Sequence, residues 1–279
     1  AAVISDLAPV DRRGRWLGTY AAAQSAGNAG GQLLGGVLLS LGGFFYPFFA
    51  GGLCGALGLL LLPRLPSRDR RPERGRPASR LRDSLRAILG DRMILMISLA
   101  TAGQYLANGA FVGFLPLYAQ DMAGLEPWRI GALFAVQTGC VLVFRPALGT
   151  LSDRLGRPPV MAGGLTASAV ALLVLPATRS FPLLLIVVGL YGAAFAATSA
   201  TSMAWITDQA SRSNYGTAHG AYGTIFDLGD AAGPIVAGLL IGALGYASAF
   251  RLLAIPVVAL ALILSLAPRP GARSRNQAA

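Results

Sequence analysis

Five segments of this sequence carry no charged side chain, and that pattern constrains the fold more than any other feature. No Asp, Glu, Lys or Arg occurs from Trp16 to Pro63, from Met93 to Gln120, from Pro159 to Thr178, from Ser180 to Thr207, or from Ala231 to Phe250. About 20 apolar residues in helical form cross the hydrocarbon core of a bilayer, which is ~30 Å thick. A backbone in lipid must satisfy its own hydrogen bonds, so each crossing segment reads as helix. The expected fold is all-α: a polytopic transmembrane helical bundle with eight full spans, at 17–40, 43–62, 93–119, 130–150, 159–178, 181–206, 216–241 and 248–267. Ala1–Ala8 reads as the stub of a preceding span. It has no basic leader and is no signal peptide. With Ala1 first, the chain reads as one that lacks its natural start.

Composition agrees. Only 13% of the residues are charged, where a soluble domain carries about 25%. The net charge of +11 comes from 23 basic residues, all of them arginine. Taking alternate connections between the spans places 19 of the 23 arginines on one side: Arg12, Arg13, Arg15, the ten from Arg64 to Arg92, Arg154, Arg157, Arg212, and the tail residues Arg269, Arg273 and Arg275. Cytoplasmic loops carry the basic excess of a membrane protein. Both ends of the chain are therefore expected in the cytoplasm and the protein in the cell membrane. The positive charge is accounted for by topology, with attraction to membrane lipid as its side effect, and no nucleic-acid partner is implied. The longest connection, 63–92, is an Arg- and Pro-rich cytoplasmic linker in which Leu81, Leu85, Ile88 and Leu89 recur at helical spacing. It is either a basic surface helix or a solvated linker.

The chain also repeats itself. A shift of 202 residues aligns Asp6 with Asp208, Gly18 with Gly220, Tyr20 with Tyr222, Gly27 with Gly229, Gly31 with Gly233 and Gly36 with Gly238, without a gap. Each copy is a span end, a short inner loop and the next span, entered from the same side. This is a parallel repeat of the kind that relates the halves of many transporters.

The loop after the fourth span reads Gly149-Thr150-Leu151-Ser152-Asp153-Arg154-Leu155-Gly156-Arg157. At every fixed position it resembles the G-x-L-x-D-R-x-G-R loop of the major facilitator superfamily, although Pro158 stands where a last basic residue usually follows. A second resemblance is to the antiporter helix pattern G-x-x-x-G-P-x-x-G-G. The first span has Gly27, Gly31, Gly35 and Gly36, with Gln32 in place of the proline. The seventh has Gly229, Gly233, Pro234 and Gly238, with Ala237 in place of a glycine. The resemblance covers essentially the whole chain and makes the eight spans similar to the family's fifth to twelfth helices. It implies that 1–62 is the remnant of an N-terminal half, 93–268 a C-terminal six-helix half, and 269–279 a cytoplasmic tail.

The resemblance further implies an inner gate built from Gly149, Leu151, Asp153, Arg154, Gly156 and Arg157, with Asp208 as the carboxylate partner of the arginines. Asp153 suits the positive N-terminus of a neighbouring helix, such as the first span near Gly18. The alternative is that these charges only set topology. Small residues at i, i+4 let membrane helices approach closely, so the two glycine runs are expected to pack helices. Asp227 and Asp230 lie on one face in the middle of the seventh span. Carboxyls at that depth are costly and should face the interior or water, which suits proton coupling, cation recognition or helix–helix hydrogen bonding. Gln24, Asn28 and Gln32, then Gln104 and Asn108, then Gln137 and Thr138, mark further polar faces, suited to a substrate path or to interhelical bonds. Arg145 lies near a span end and can snorkel.

The function expected is secondary transport of a small molecule by alternating access, coupled to protons or another ion, with multidrug efflux ahead of metabolite uptake. An inactive or scaffolding membrane fragment is the third reading. With no lysine there is no G-x-x-x-x-G-K-[ST] loop for ATP. His219 has no partner histidine at a metal-binding spacing, and Cys54 and Cys140 lie in apolar runs. No enzyme activity, cofactor or metal is expected.

Overall fold

The computed structural model describes residues 13–61, 92–209 and 215–266. The expected stub at 1–8, the linker up to Asp91 and the tail lie outside the described residues. Seven helices make up the described chain: α1 (Arg13–Gly42), α2 (Phe45–Leu61), α3 (Arg92–Asp121), α4 (Pro127–Leu155), α5 (Arg157–Val174), α6 (Phe181–Gln209) and α7 (Tyr215–Leu266). A single 3-10 turn, Leu175–Ala177, extends α5.

The last helix is two. Gly245 has φ 76 and ψ 169, outside the helical region, and a glycine adopts such a backbone without a Cβ clash. The chain reverses there. Ala237 and Leu253, on opposite sides of Gly245, share one small buried apolar cluster with Ala110 of α3. Likewise Leu228 and Pro256 line one groove with Leu106. The two segments correspond to the predicted seventh and eighth spans, joined by a turn shorter than the gap expected between them.

Five of the described helices are long and apolar enough to cross a membrane: Met93–Asp121, Pro127–Leu155, Arg157–Ala177, Phe181–Gln209 and Tyr222–Leu266. The apolar stretch Phe45–Leu60 is shorter. α1 has the length but is not among the five, since amides and glycines dilute its apolar residues. All the described regular structure is helical, as the charge-free runs demanded.

The core lies among α3, α5, α6 and α7. Ile97, Phe111, Leu115, Leu165, Leu172, Leu184, Val188, Tyr191, Phe250 and Val257 are fully buried in one cluster. Tyr118 closes one end of it, its single hydroxyl proton shared between the carbonyls of Leu175 (3.0 Å) and Thr178 (2.9 Å), beyond the last turn of α5. That satisfies a buried hydroxyl at a helix end where the Leu175 carbonyl also accepts the Thr178 amide at 3.0 Å. At the same end Trp128 and Phe181 pack edge to face, with Arg129 against both rings, a pairing typical of a membrane–water interface. Outward-facing residues are apolar too: Leu41, Phe48, Leu60, Leu239 and Leu266 are each more than 70% exposed or at that mark. In water such a surface would aggregate; in lipid it costs nothing.

Candidate functional site

The Gly149–Arg157 loop sits where α4 meets α5. Gly156, with φ +94, is the break between the two helices, and only glycine takes that backbone without strain. The break lets Arg157 turn back onto α4. Its Nη1 reaches Asp153 Oδ1 at 2.5 Å and donates to Ser152 Oγ at 2.6 Å. Its Nε donates to Asp208 Oδ2 at 2.9 Å, on the last turn of α6. The expected partnership of Arg157 with Asp208 is thus present, and one guanidinium ties α4, α5 and α6 together. Asp153 is paired with Arg157, one helical turn on, while the side chains at the start of α1 near Gly18, its other expected neighbour, lie outside the described residues. Arg154 is exposed and makes no ion pair among the described residues. Gly149 has open space where a Cβ would stand. Leu151, with Leu148 and Leu155, lines an apolar groove of about 430 Å³ against α5 and α6.

The two glycine runs fare differently. On α7, Gly229 lies against Ala102, Tyr105 and Leu106, with a Cβ there only 2.8 Å from the Ala102 carbonyl oxygen. One turn further, a Cβ on Gly233 would collide with the Leu106 carbonyl and the Ala110 amide. Pro234 then packs on Gly113, and Gly238 on the Phe114 ring. Each step of the motif therefore meets one step of α3. On α1 the ridge Gly27, Gly31, Gly35 has nothing among the described residues within 4 Å of a Cβ. The close contact is made by Gly36 instead, against Pro127 and Gly131 of α4. Gln32, in the place of the motif's proline, accepts a hydrogen bond from Thr138 Oγ1 at 2.8 Å across the same seam.

Of the polar groups at mid-helix, Asp230 and Asn108 come together: Asn108 Nδ2 donates to Asp230 Oδ1 at 3.0 Å. Asp227, one turn away, is exposed, as is Asn28. Gln104 is buried with neither amide atom hydrogen-bonded, and Gln137 is buried on α4. Gln24 lies on α1, and its side chain and that of His219 fall outside the described residues. Among the described residues the polar groups thus lie on α3 and α7, joined by Asn108 and Asp230, with a separate polar contact on the α1–α4 seam.

The family described as Major Facilitator Superfamily matches residues 1–139 and again 127–279. The chain belongs to the major facilitator superfamily. It is accordingly a multi-pass membrane protein of a family of transporters, not of enzymes. Among curated proteins it is 24% identical to the multidrug resistance protein MdtG of Enterobacter lignolyticus, over 92% of this chain and 62% of that protein. It is 29% identical to the class H tetracycline resistance protein of Pasteurella multocida, over 54% of this chain and 38% of that one. A third relative, a probable nitrate/nitrite antiporter NarK1 of Thermus thermophilus, is 31% identical over 55% of this chain and 36% of its own length. The chain thus spans less than two thirds of these relatives. A bacterial homolog of the human lysosomal transporter Spinster, solved inward-facing and unoccupied, superposes with a TM-score of 0.70 at 18% identity, covering 94% of this chain and 71% of that one. The shared feature is the superfamily fold.

Within that fold α3, α6 and α7 also share an aromatic cluster that no sequence motif marks. Tyr105 of α3 packs on Phe195 of α6 and Phe226 of α7, with ring centroids 5.2 Å and 4.9 Å away. Tyr222, next to Phe226, shares a 2.7 Å hydrogen bond with Ser202 of α6. In the sequence Tyr222 stands out only as a repeat identity with Tyr20. Its spacing of four residues from Phe226 was the available signal.

Proposed function

We propose that this member of the superfamily works as a secondary transporter, moving a small molecule by alternating access with proton coupling, and of the efflux type. One observation carries the coupling: Asp227 and Asp230 lie exposed at mid-length of a membrane-long helix, and Asp230 is held by Asn108 of the facing helix. A carboxyl so placed is retained against its desolvation cost for a purpose. It can exchange its helix partner for a proton or a substrate cation. The efflux subclass is supported by relatives named for multidrug and tetracycline resistance.

In this reading 1–62 belongs to one helical half and 93–268 to the other, with eight spans in all, 63–92 as the cytoplasmic linker between the halves, and 269–279 as a cytoplasmic tail. The Arg157–Asp208–Asp153 network closes the inner face, and the glycine seams seal helices that move as units. Sealed vesicles with an imposed pH gradient test it. Substrate flux through the full chain should require the gradient and fall at least about tenfold with Asp230→Asn, the scale expected for loss of a charge-assisted contact. Gradient-driven flux unchanged in both Asp227→Asn and Asp230→Asn removes the coupling role of this pair.

A further inference from the structure

The apolar groove beside the Gly149–Arg157 loop has no part in the function proposed above. Its volume is about 430 Å³, and its walls include Phe144, Leu148, Leu151 and Leu155 of α4, Gly163 of α5 and Leu190 of α6. Every lining residue is apolar or glycine. Gly163 makes the gap. Open space stands where its Cβ would be, while the adjacent Gly164 is pressed against Ala197 and Thr198 of α6. One glycine thus joins two helices and its neighbour leaves a cleft between them. The cleft opens on the side of the bundle, because Phe144, Leu151, Leu155 and Leu190 are all exposed. In a bilayer that side meets lipid.

Length and charge select the occupant. From Leu155, the last residue of α4, back to Phe144 is eleven residues, or about 16 Å at a rise of 1.5 Å per residue. One leaflet takes up half of the hydrocarbon core, about 15 Å. The groove therefore runs from a helix end to mid-membrane, along the path of one acyl chain. A wall without polar side chains offers nothing to a polar solute. At the mouth Arg154 follows Leu151 by one turn and precedes Leu155; it is exposed and makes no ion pair among the described residues. The carboxylates of the same network, Asp153 and Asp208, are both held by Arg157. Arg154 is thus left as a free guanidinium at a helix end, and a guanidinium matches a phosphate in a bidentate manner. We infer that the groove binds an anionic phospholipid of the inner leaflet, with one acyl chain between α4, α5 and α6 and its phosphate against Arg154. The lipid packs behind the turn that carries Asp153, and so buttresses the Arg157 network. The site needs the loop to lie at the inner face and is independent of what the protein carries.

The test is native mass spectrometry of the purified full chain, delipidated in detergent and titrated with dioleoyl-phosphatidylglycerol or dioleoyl-phosphatidylcholine. The first lipid bound should favour phosphatidylglycerol by about fivefold, the preference that one basic residue gives an anionic lipid. Arg154→Gln should abolish the preference and leave phosphatidylcholine binding unchanged, and Arg154→Lys should keep it. Gly163→Leu, whose side chain fills the cleft, should lower retention of both lipids severalfold. Gly242→Leu, at an exposed glycine that also has open space beside it, should not. Glycerol phosphate, a head without chains, should not displace the bound lipid. Equal affinity for the two lipids, a preference that survives Arg154→Gln, unchanged retention in Gly163→Leu, or displacement by glycerol phosphate overturns the inference. Should Gly163→Leu fail to elute as a monodisperse species, loss of the preference in Arg154→Gln and its rescue in Arg154→Lys decide. No gradient and no transported molecule enter this assay, so its outcome and that of the vesicle experiment stand apart.

Discussion

Arg157 is the residue on which three helix ends depend. Its side chain is 18% exposed, whereas Asp153 and Asp208 are 58% and 51% exposed. Carboxylates so open to solvent give back little as ion pairs, about 0–1 kcal/mol each. The network is therefore suited to breaking and re-forming. A double-mutant cycle of Arg157→Gln and Asp208→Asn, read as thermal stability in detergent, should give a coupling of no more than about 1 kcal/mol. Arg154→Gln should change stability less than Arg157→Gln does, because no ion pair is lost. A coupling several times larger would mean a permanent clamp. The Arg157–Asp208 pairing was legible in the sequence through the loop motif and the carboxylate ending the sixth span. The choice between Arg154 and Arg157 was not, because it is set by the backbone turn at Gly156, a single dihedral that no residue pattern reports.

Between helices the decisive contacts are those of α7 on α3. The motif residues Gly229, Gly233 and Gly238 each replace a side chain with a neighbouring helix. Gly233→Ala should lower the melting temperature of the detergent-purified chain, since forcing a methyl against the Leu106 carbonyl costs about 1–3 kcal/mol. Gly27→Ala should leave it unchanged or slightly higher, because alanine favours helix by roughly 0.5–1 kcal/mol and nothing in the described chain stands in the way. Equal losses at both positions would show that the α1 ridge is packed in the working protein. Glycine spacing told which residues can accept a neighbour, not which do. Gly113 of α3, which receives Pro234, and Gly131 of α4, which receives Gly36, were missed because a contact surface has two sides and the motif describes one.

For the molecule as a whole, hydrophobic runs and arginine placement were enough to give an all-helical membrane bundle, because lipid leaves the backbone few alternatives. Which helices adjoin was not readable, since apolar faces of similar composition do not name their partners. The topology itself can be measured. With Cys54 and Cys140 replaced by serine, a cysteine at Ser180 should react with a membrane-impermeant maleimide on intact cells. One at Asp153 should react only after permeabilisation. The reverse pattern would invert the assigned orientation.

The turn at Gly245 carries one more implication. The two arms of α7 meet there with no intervening loop, and Tyr246 anchors the corner by donating to Asp121 at the end of α3, 2.9 Å away. A hinge needs slack, and this corner has none. Force applied to one arm must be delivered to the other as in a bent lever, so the arm bearing Asp227 and Asp230 cannot shift without carrying its companion along.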